Sequence, residues 1–215
     1  MSITLDVVKS LAVDKFKRAK PVSLKDEEIV FENPGLMFNA ERIARLLERQ
    51  NQGDPVCSQA IDEAIDTARK LLVRRVSPIE GPLQVPRYYR FKKEHRAVHH
   101  RIRRDAISSN AFAMAYALSG DDRFLRKAKE FLFSWVEAVE PPQSFSIKYF
   151  HSRGDNPIVI SYVFPHFIMC MDLLKGYDGA SPEEESQFNG WLMPFVDYMV
   201  TEESIKNNHH IFQTL

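Results

Sequence analysis

Apolar side chains recur every three to four residues along most of this chain, and this helical period constrains the fold more than any other feature. No stretch of useful length alternates between apolar and polar residues, as a half-buried β-strand would. The pattern predicts six helices, marked by apolar residues within 43–47, 61–72, 107–118, 124–139, 158–174 and 188–199. The sequence therefore predicts an all-α fold built from consecutive antiparallel helix pairs.

The last of these helices has the clearest start signal. Ser181 stands at the N-cap, Pro182 at the first helical position and Glu184 three residues after the cap, which together make a capping box. Two prolines fall inside predicted helices. Pro165 predicts a kink in the fifth helix, and Pro194 predicts a bend or an interruption in the sixth.

A length of 215 residues suits one domain with a sizeable core. We expect residues 1–34, which show no sustained period, to form an irregular arm, and residues 35–215 to form the helical domain. Cys57 and Cys170 lie in apolar segments, so we expect two buried thiols rather than a disulfide.

Charge and hydropathy limit the partners of the chain. Lys plus Arg number 29 and Asp plus Glu also number 29, so no net charge draws the whole molecule to nucleic acid or to an anionic membrane. We expect no membrane-spanning stretch and find no secretory signal, which leaves the localisation undetermined. Any specificity for a polyanion must therefore come from a local patch.

The most basic stretch, residues 87–104, holds eight Lys and Arg residues together with Tyr88 and Tyr89. Its His95 and His99 are one helical turn apart, but no carboxylate stands where a zinc protease motif requires one and no third ligand is near, so no metal site is predicted. The stretch suits either a solvated charged face or a cationic rim that attracts an acidic polymer. Nucleic-acid binding is the less favoured use, and none is predicted.

The densest group of proton-handling residues is the run Lys-Asn-Asn-His-His at 206–210, which Ile211 and Phe212 follow. An Asn amide can donate a hydrogen bond to a substrate carboxylate, while an imidazole that titrates near neutrality can take or give a proton. The same run also fits a surface loop whose Asn residues cap a following helix.

A second group lies in the polar loop 143–156 and contains Tyr149, His151 and Arg153. Aromatic and guanidinium groups can stack on a sugar ring and pair with its carboxylate. Loops that hold an Arg and an aromatic residue are common, so this group supports a binding site only together with other features.

The ordered combination of several segments resembles the alginate lyase superfamily. An alanine-rich helix leads into a Ser-Gly-Asp turn over residues 111–124, and Lys-Ala at 127–128 and Trp135 follow it. Residues 207–209 are similar to the Asn-Asn-His active-site motif of that superfamily, and residues 34–36 resemble its start. The similarity covers most of the chain after residue 34.

The resemblance implies an α/α toroid whose cleft binds polyuronate and which works without a cofactor. It implies that Asn208 neutralises the sugar carboxylate and that His209 assists the removal of the C5 proton, in a β-elimination. Tyr149, His151, Arg153, His210 and Phe212 are then candidates for binding the substrate.

Family members carry a further Tyr and Arg beyond this motif, whereas the present chain stops at Leu215. We therefore expect an incomplete toroid: a truncated lyase, a chain completed by a partner, or a vestigial module that binds acidic polysaccharide without cleaving it. The residues after His209 depart from the usual family pattern, so a heparinase-type lyase is a further alternative. The resemblance defines neither the polymer nor the mode of cutting.

Overall fold

The computed structural model describes residues 33–142 and 155–201, and these ranges are almost entirely helical. The predicted all-α class is confirmed. Two strands of two residues each, β1 (Gly81–Pro82) and β2 (Val139–Glu140), pair in parallel. The helices are α1 (Ala40–Asn51), α2 (Pro55–Leu71), α3 (Lys92–Ser119), α4 (Asp122–Ala138), α5 (Asn156–Gly176) and α6 (Pro182–Thr201). The toroid and the domain boundary after residue 34 stay predictions.

Short polar side chains define the helix ends. The predicted capping box is confirmed: the Glu184 amide donates to Ser181 Oγ at 3.2 Å, and the Ser181 amide donates to Glu184 Oε2 at 2.8 Å. Between α3 and α4, Gly120 adopts the left-handed conformation with φ 66°, and Asp121 then caps α4. This tight connection makes α3 and α4 a helical hairpin.

Helix α3 begins at Lys92, fifteen residues before the first apolar residue that marks it in the sequence. His95 is the only buried residue of its first ten, and Ile102 is the next. A segment that buries one polar side chain shows no apolar period, so the sequence pattern does not detect it. Residues 92–104 of the basic stretch are consequently part of the central helix, which packs against α2, α4 and α5.

Helix α5 is continuous through Pro165 and is buried over most of its surface. The helix has 21 residues, and an 18-residue window within it has a mean hydropathy of 1.6. It is thus long and apolar enough to cross a membrane, contrary to the expectation from the sequence. However, 67% of that window is buried inside the fold, as in the core helix of a globular protein. Its apolar character is therefore explained by packing against α3 and α6.

An aromatic cluster joins α5 to α6. The rings of Phe164 and Trp191 stack with centroids 5.3 Å apart, and Phe195 packs against both at 4.8 and 5.1 Å. The Trp191 indole N–H donates to the carbonyl oxygen of Val139 at 2.8 Å. Helix α6 also continues through Pro194, so no interruption occurs there.

Two buried carboxylates bind segments that are distant in sequence. Asp105 on α3 is fully buried, and its Oδ2 accepts from the Ser77 amide at 2.8 Å and from the Trp135 indole N–H at 3.1 Å. Its Oδ1 accepts from Arg104 Nε at 2.9 Å. All three donors bond to this one carboxylate, so it connects the 77–80 loop, α3 and α4.

Asp172 on α5 likewise accepts hydrogen bonds from a distant segment, the one before α1. Its Oδ1 accepts from the Asn33 side-chain amide at 2.6 Å, and its Oδ2 accepts from the backbone amides of Gly35 and Leu36 at 3.0 and 3.1 Å.

Both cysteines are buried free thiols, as expected from the sequence.

Candidate functional site

The residues that the sequence analysis assigns to the active site lie outside the described ranges. Helix α6, which precedes the Asn-Asn-His motif in the chain, ends at Thr201. The structure therefore does not test these assignments, which stay predictions: Tyr149, His151, Arg153, Asn208, His209, His210 and Phe212.

The basic stretch is described, and most of the arginines that it contributes to α3 have structural partners. Arg101 donates to two carbonyl oxygens of the loop before β1. Arg104 is paired with buried Asp105. The Arg96 guanidinium lies 5.8 Å from the centre of the Tyr88 ring. These contacts support the fold, so the stretch is more than a solvated charged face.

His95 also has a structural role. Its Nδ1 lies 2.8 Å from the Pro86 carbonyl oxygen and 3.4 Å from Asp155 Oδ2, and Asp155 in turn accepts from the Tyr88 amide at 2.8 Å. These bonds attach the loop before α3 to the start of α5. Within the described ranges no three His, Cys, Asp or Glu side chains are grouped to hold a metal ion.

One helical turn beyond His95, four polar side chains form a strip between α3 and α5. His99 and Arg103 stand four residues apart on α3, and Tyr162 and His166 stand four residues apart on α5. The His99 and Tyr162 rings meet edge to face with centroids 5.3 Å apart. The Tyr162 side chain stays 42% exposed and Arg103 is exposed, so the strip is open to solvent.

Electrostatics keep the two imidazoles of the strip neutral near pH 7. Burial lowers the pKa of His99, and the positive charges of His95, His100 and Arg103, in that order, lower it further. Burial and Arg103 likewise lower the pKa of His166. Burial raises the pKa of Tyr162, so its phenol keeps its proton. The strip thus combines one cation with three neutral groups that can donate hydrogen bonds.

Three polar atoms along this face are buried without a hydrogen-bond partner in the described part of the chain: His99 Nε2, His166 Nδ1 and Asn110 Oδ1. Buried polar atoms in folded proteins are nearly always paired with protein, water or ligand. These three atoms therefore keep hydrogen-bonding capacity that no group in the described ranges uses.

Beyond the strip, a small hollow of about 230 Å³ opens between α3, α5 and the segment before α1. Its lining is mainly apolar, with Asn110 and Asp172 as the polar members. The other lining residues are Met37, Phe38, Met114, Met169 and Leu173. The polar face of α3 and α5 therefore continues into a shallow, mostly apolar depression.

The sequence analysis did not single out Tyr162 and His166, because they lie in a segment assigned as buried on most faces. The spacing of these two residues nevertheless indicates a polar face on the helix. Two ring-bearing polar residues four positions apart in an otherwise apolar helix lie on one face, and such a face needs a polar environment. Arg103 was noticed only as one of many basic residues, since the sequence does not show which of them have partners.

The family model for alginate lyase matches residues 48–215, well over half of the chain. The matched region includes all of α2 to α6 and the Asn-Asn-His motif at 207–209. No curated protein and no solved structure matches the chain.

Proposed function

The chain belongs to the alginate lyase family, and on that premise we propose that it cleaves a uronate-containing polymer of the alginate type by β-elimination. The observation that carries the proposal is the extent of the family match. It continues through residue 215 and so includes the predicted catalytic pair, Asn208 and His209.

The chemistry explains why an amide is needed beside the sugar carboxylate. Elimination removes the C5 proton next to that group, and the resulting negative charge spreads onto the carboxylate oxygens. While the carboxylate is itself charged, the C5 proton is only weakly acidic. A hydrogen bond donated by the Asn208 amide would stabilise the enolate-like transition state in which this charge develops.

His209 is the candidate base for the proton. A neutral imidazole takes the C5 proton, the C–H electron pair forms the C4–C5 double bond, and the bond from C4 to the glycosidic oxygen breaks. The departing oxygen receives a proton from water, the proton taken by His209 returns to solvent, and no redox cofactor takes part.

Local charge supports an acidic polymer as the substrate. The chain has no net charge, yet the loop before α3 and the first half of α3 concentrate basic side chains. An exposed cationic patch of this kind raises the local concentration of a polyanion without requiring a basic protein.

The test is the ultraviolet absorbance of the unsaturated uronate that elimination creates. We expect the absorbance to rise on incubation with alginate, and we expect polymannuronate, polyguluronate and heparin to identify the preferred polymer. Asn208→Ala and His209→Ala should each reduce the rate at least about a hundredfold, because each removes transition-state stabilisation or the base.

His100→Ala is the matched control, since it removes an exposed imidazole from α3 without touching the motif. Both active-site variants must retain the circular dichroism of the parent protein. Folded parent protein that produces no absorbance on any uronate polymer would contradict the proposal. Retention on immobilised alginate without product would instead identify a non-catalytic binding module.

A further inference from the structure

We propose that the α3–α5 strip is a uronate-binding surface that holds the polymer away from the reacting sugar. In this arrangement Arg103 binds a sugar carboxylate, while Tyr162, His99 and His166 contact the ring and hydroxyl groups. The proposal rests on the proposed function for the identity of its ligand, but its residues are all in the described part of the chain.

Arg103 differs from the other arginines of α3. Arg96, Arg101 and Arg104 each contact an aromatic ring, carbonyl oxygens or a carboxylate. Arg103 is exposed and forms no ion pair with any residue in 33–142 or 155–201. A guanidinium group that holds no structural partner keeps its planar set of donors for an external carboxylate, which it can bind through two parallel hydrogen bonds.

The two neutral imidazoles suit sugar hydroxyls better than a second positive charge beside Arg103 would. A neutral imidazole has one donor and one acceptor nitrogen, and a hydroxyl group both donates and accepts. His99 Nε2 and His166 Nδ1 are the nitrogens that lack partners within the described ranges. Both nitrogens are buried in this conformation, so they reach a sugar beside Arg103 when the two half-buried imidazoles rotate outward.

Tyr162 adds an aromatic surface. It is one of the few large side chains of α5 that remain exposed, at 42%, on a helix that is otherwise mostly buried. Its edge-to-face contact with His99 fixes the ring orientation. An exposed, oriented phenol offers both a flat apolar face and a hydroxyl, which suits a pyranose ring.

His95, on the same side of α3, has a structural role and serves for comparison with His99. Only 7% of it is exposed, and its Nδ1 is bonded to the Pro86 carbonyl oxygen. One turn further along, His99 lacks such a partner for Nε2. Along this face, His95 is hydrogen-bonded to the protein, whereas His99 Nε2 has no partner in the described ranges. We place the start of the ligand surface at this change.

The experiment measures the dissociation constant of oligouronates, by calorimetric titration, in a His209→Ala background so that no ligand is consumed. Adding Arg103→Gln should weaken binding about tenfold, the loss expected for one charge-assisted contact. Tyr162→Phe should weaken binding a few-fold, since it removes only the hydroxyl. In the parent enzyme Arg103→Gln should raise KM with little change in kcat, because on this proposal Arg103 binds a sugar that does not itself react.

Arg126→Gln is the matched control: it removes the same charge from another exposed helical arginine, near the far end of α3. Unchanged oligouronate binding in Arg103→Gln would overturn the proposal, whether or not the parent enzyme turns over alginate. Binding lost in Arg103→Gln but retained in Arg126→Gln would support it even if no product forms. Duplex DNA bound as tightly as uronate, and weakened equally by both changes, would overturn it in favour of nonspecific attraction.

Discussion

At the scale of single residues, the Asp105 carboxylate of α3 connects three separate parts of the fold. It is fully buried, and it accepts from a backbone amide, an indole and a guanidinium. Removing this acceptor leaves the buried Trp135 indole N–H desolvated and unpaired, which costs more than the bond itself contributes.

We therefore expect Asp105→Ala to lower the free energy of unfolding by about 3–5 kcal/mol. Trp135→Phe, which removes one donor and leaves the carboxylate two others, should cost about 1–3 kcal/mol. Urea denaturation followed by circular dichroism measures both. Asp62→Ala, at an exposed carboxylate on α2, should change stability by less than about 0.5 kcal/mol. Equal losses in Asp105→Ala and Asp62→Ala would refute this role for the buried carboxylate.

Residue roles differ in how far the sequence reveals them. The capping box at Ser181 and Glu184 is a local pattern and was predicted correctly. The strip that includes Arg103 and Tyr162 was not, because its members come from two helices whose contact is set by tertiary packing. The assignment of Asn208 and His209 came from a family motif and remains a prediction.

At the scale of elements, the segment before α1 is held against the end of α5 by shape as well as by Asp172. A Cβ atom added at Gly176 would lie only 2.0 Å from Pro34 Cδ and 2.3 Å from Pro34 N. The contact is thus possible only because residue 176 has no side chain. One end of α5 is therefore specified by a contact with a residue distant in sequence.

Gly176→Ala should consequently destabilise the protein and speed hydrogen exchange of the Gly35 and Leu36 amides, since the clash displaces the segment that donates to Asp172. Gly190→Ala on α6 is a matched control, because its added Cβ meets nothing within 4 Å. That change should stabilise the protein by up to about 1 kcal/mol through helix propensity. Equal stability of the two variants would contradict the close contact.

The positions of helix ends were predictable where capping residues or glycine set them, as at Gly120 and Ser181. The start of α3 was not, because its first turns are basic and solvent-facing while His95 alone is buried. The continuity of α5 through Pro165 was also not predictable, since packing on several sides holds that helix together.

At the scale of the whole molecule, the all-α class followed from a helical period that persists along most of the chain. Ring closure into a toroid depends on how helix pairs pack against one another, which periodicity does not encode. The zero net charge also hides an uneven distribution, because basic groups gather on α3 while acidic ones cluster at the start of α6.

The stability of the whole fold should fall in mild acid because of His99 and His166. Both have a folded-state pKa below the ordinary value of 6.5, so the unfolded chain binds more protons at acid pH. Their contribution is fully present above about pH 6.5 and is lost as the pH falls through the folded-state values. We expect the thermal midpoint to drop between about pH 7 and 5.

Replacing both histidines by glutamine should flatten that part of the pH profile, since an amide does not titrate. His100→Gln should change the profile less, because this exposed histidine acts on the pKa of His99 only through its charge. A pH profile identical in the parent and the double variant would show that these imidazoles are not coupled to folding.

The aromatic cluster and the Asp105 network have a practical consequence. The two tryptophans of the chain are both buried and hydrogen-bonded, Trp135 in α4 and Trp191 in α6. An indole is a natural fluorophore. Because both indoles are buried, the emission of each should shift to longer wavelength when water reaches it. Versions that retain a single tryptophan would allow the loosening of α6, which precedes the Asn-Asn-His sequence in the chain, to be timed separately from that of α4.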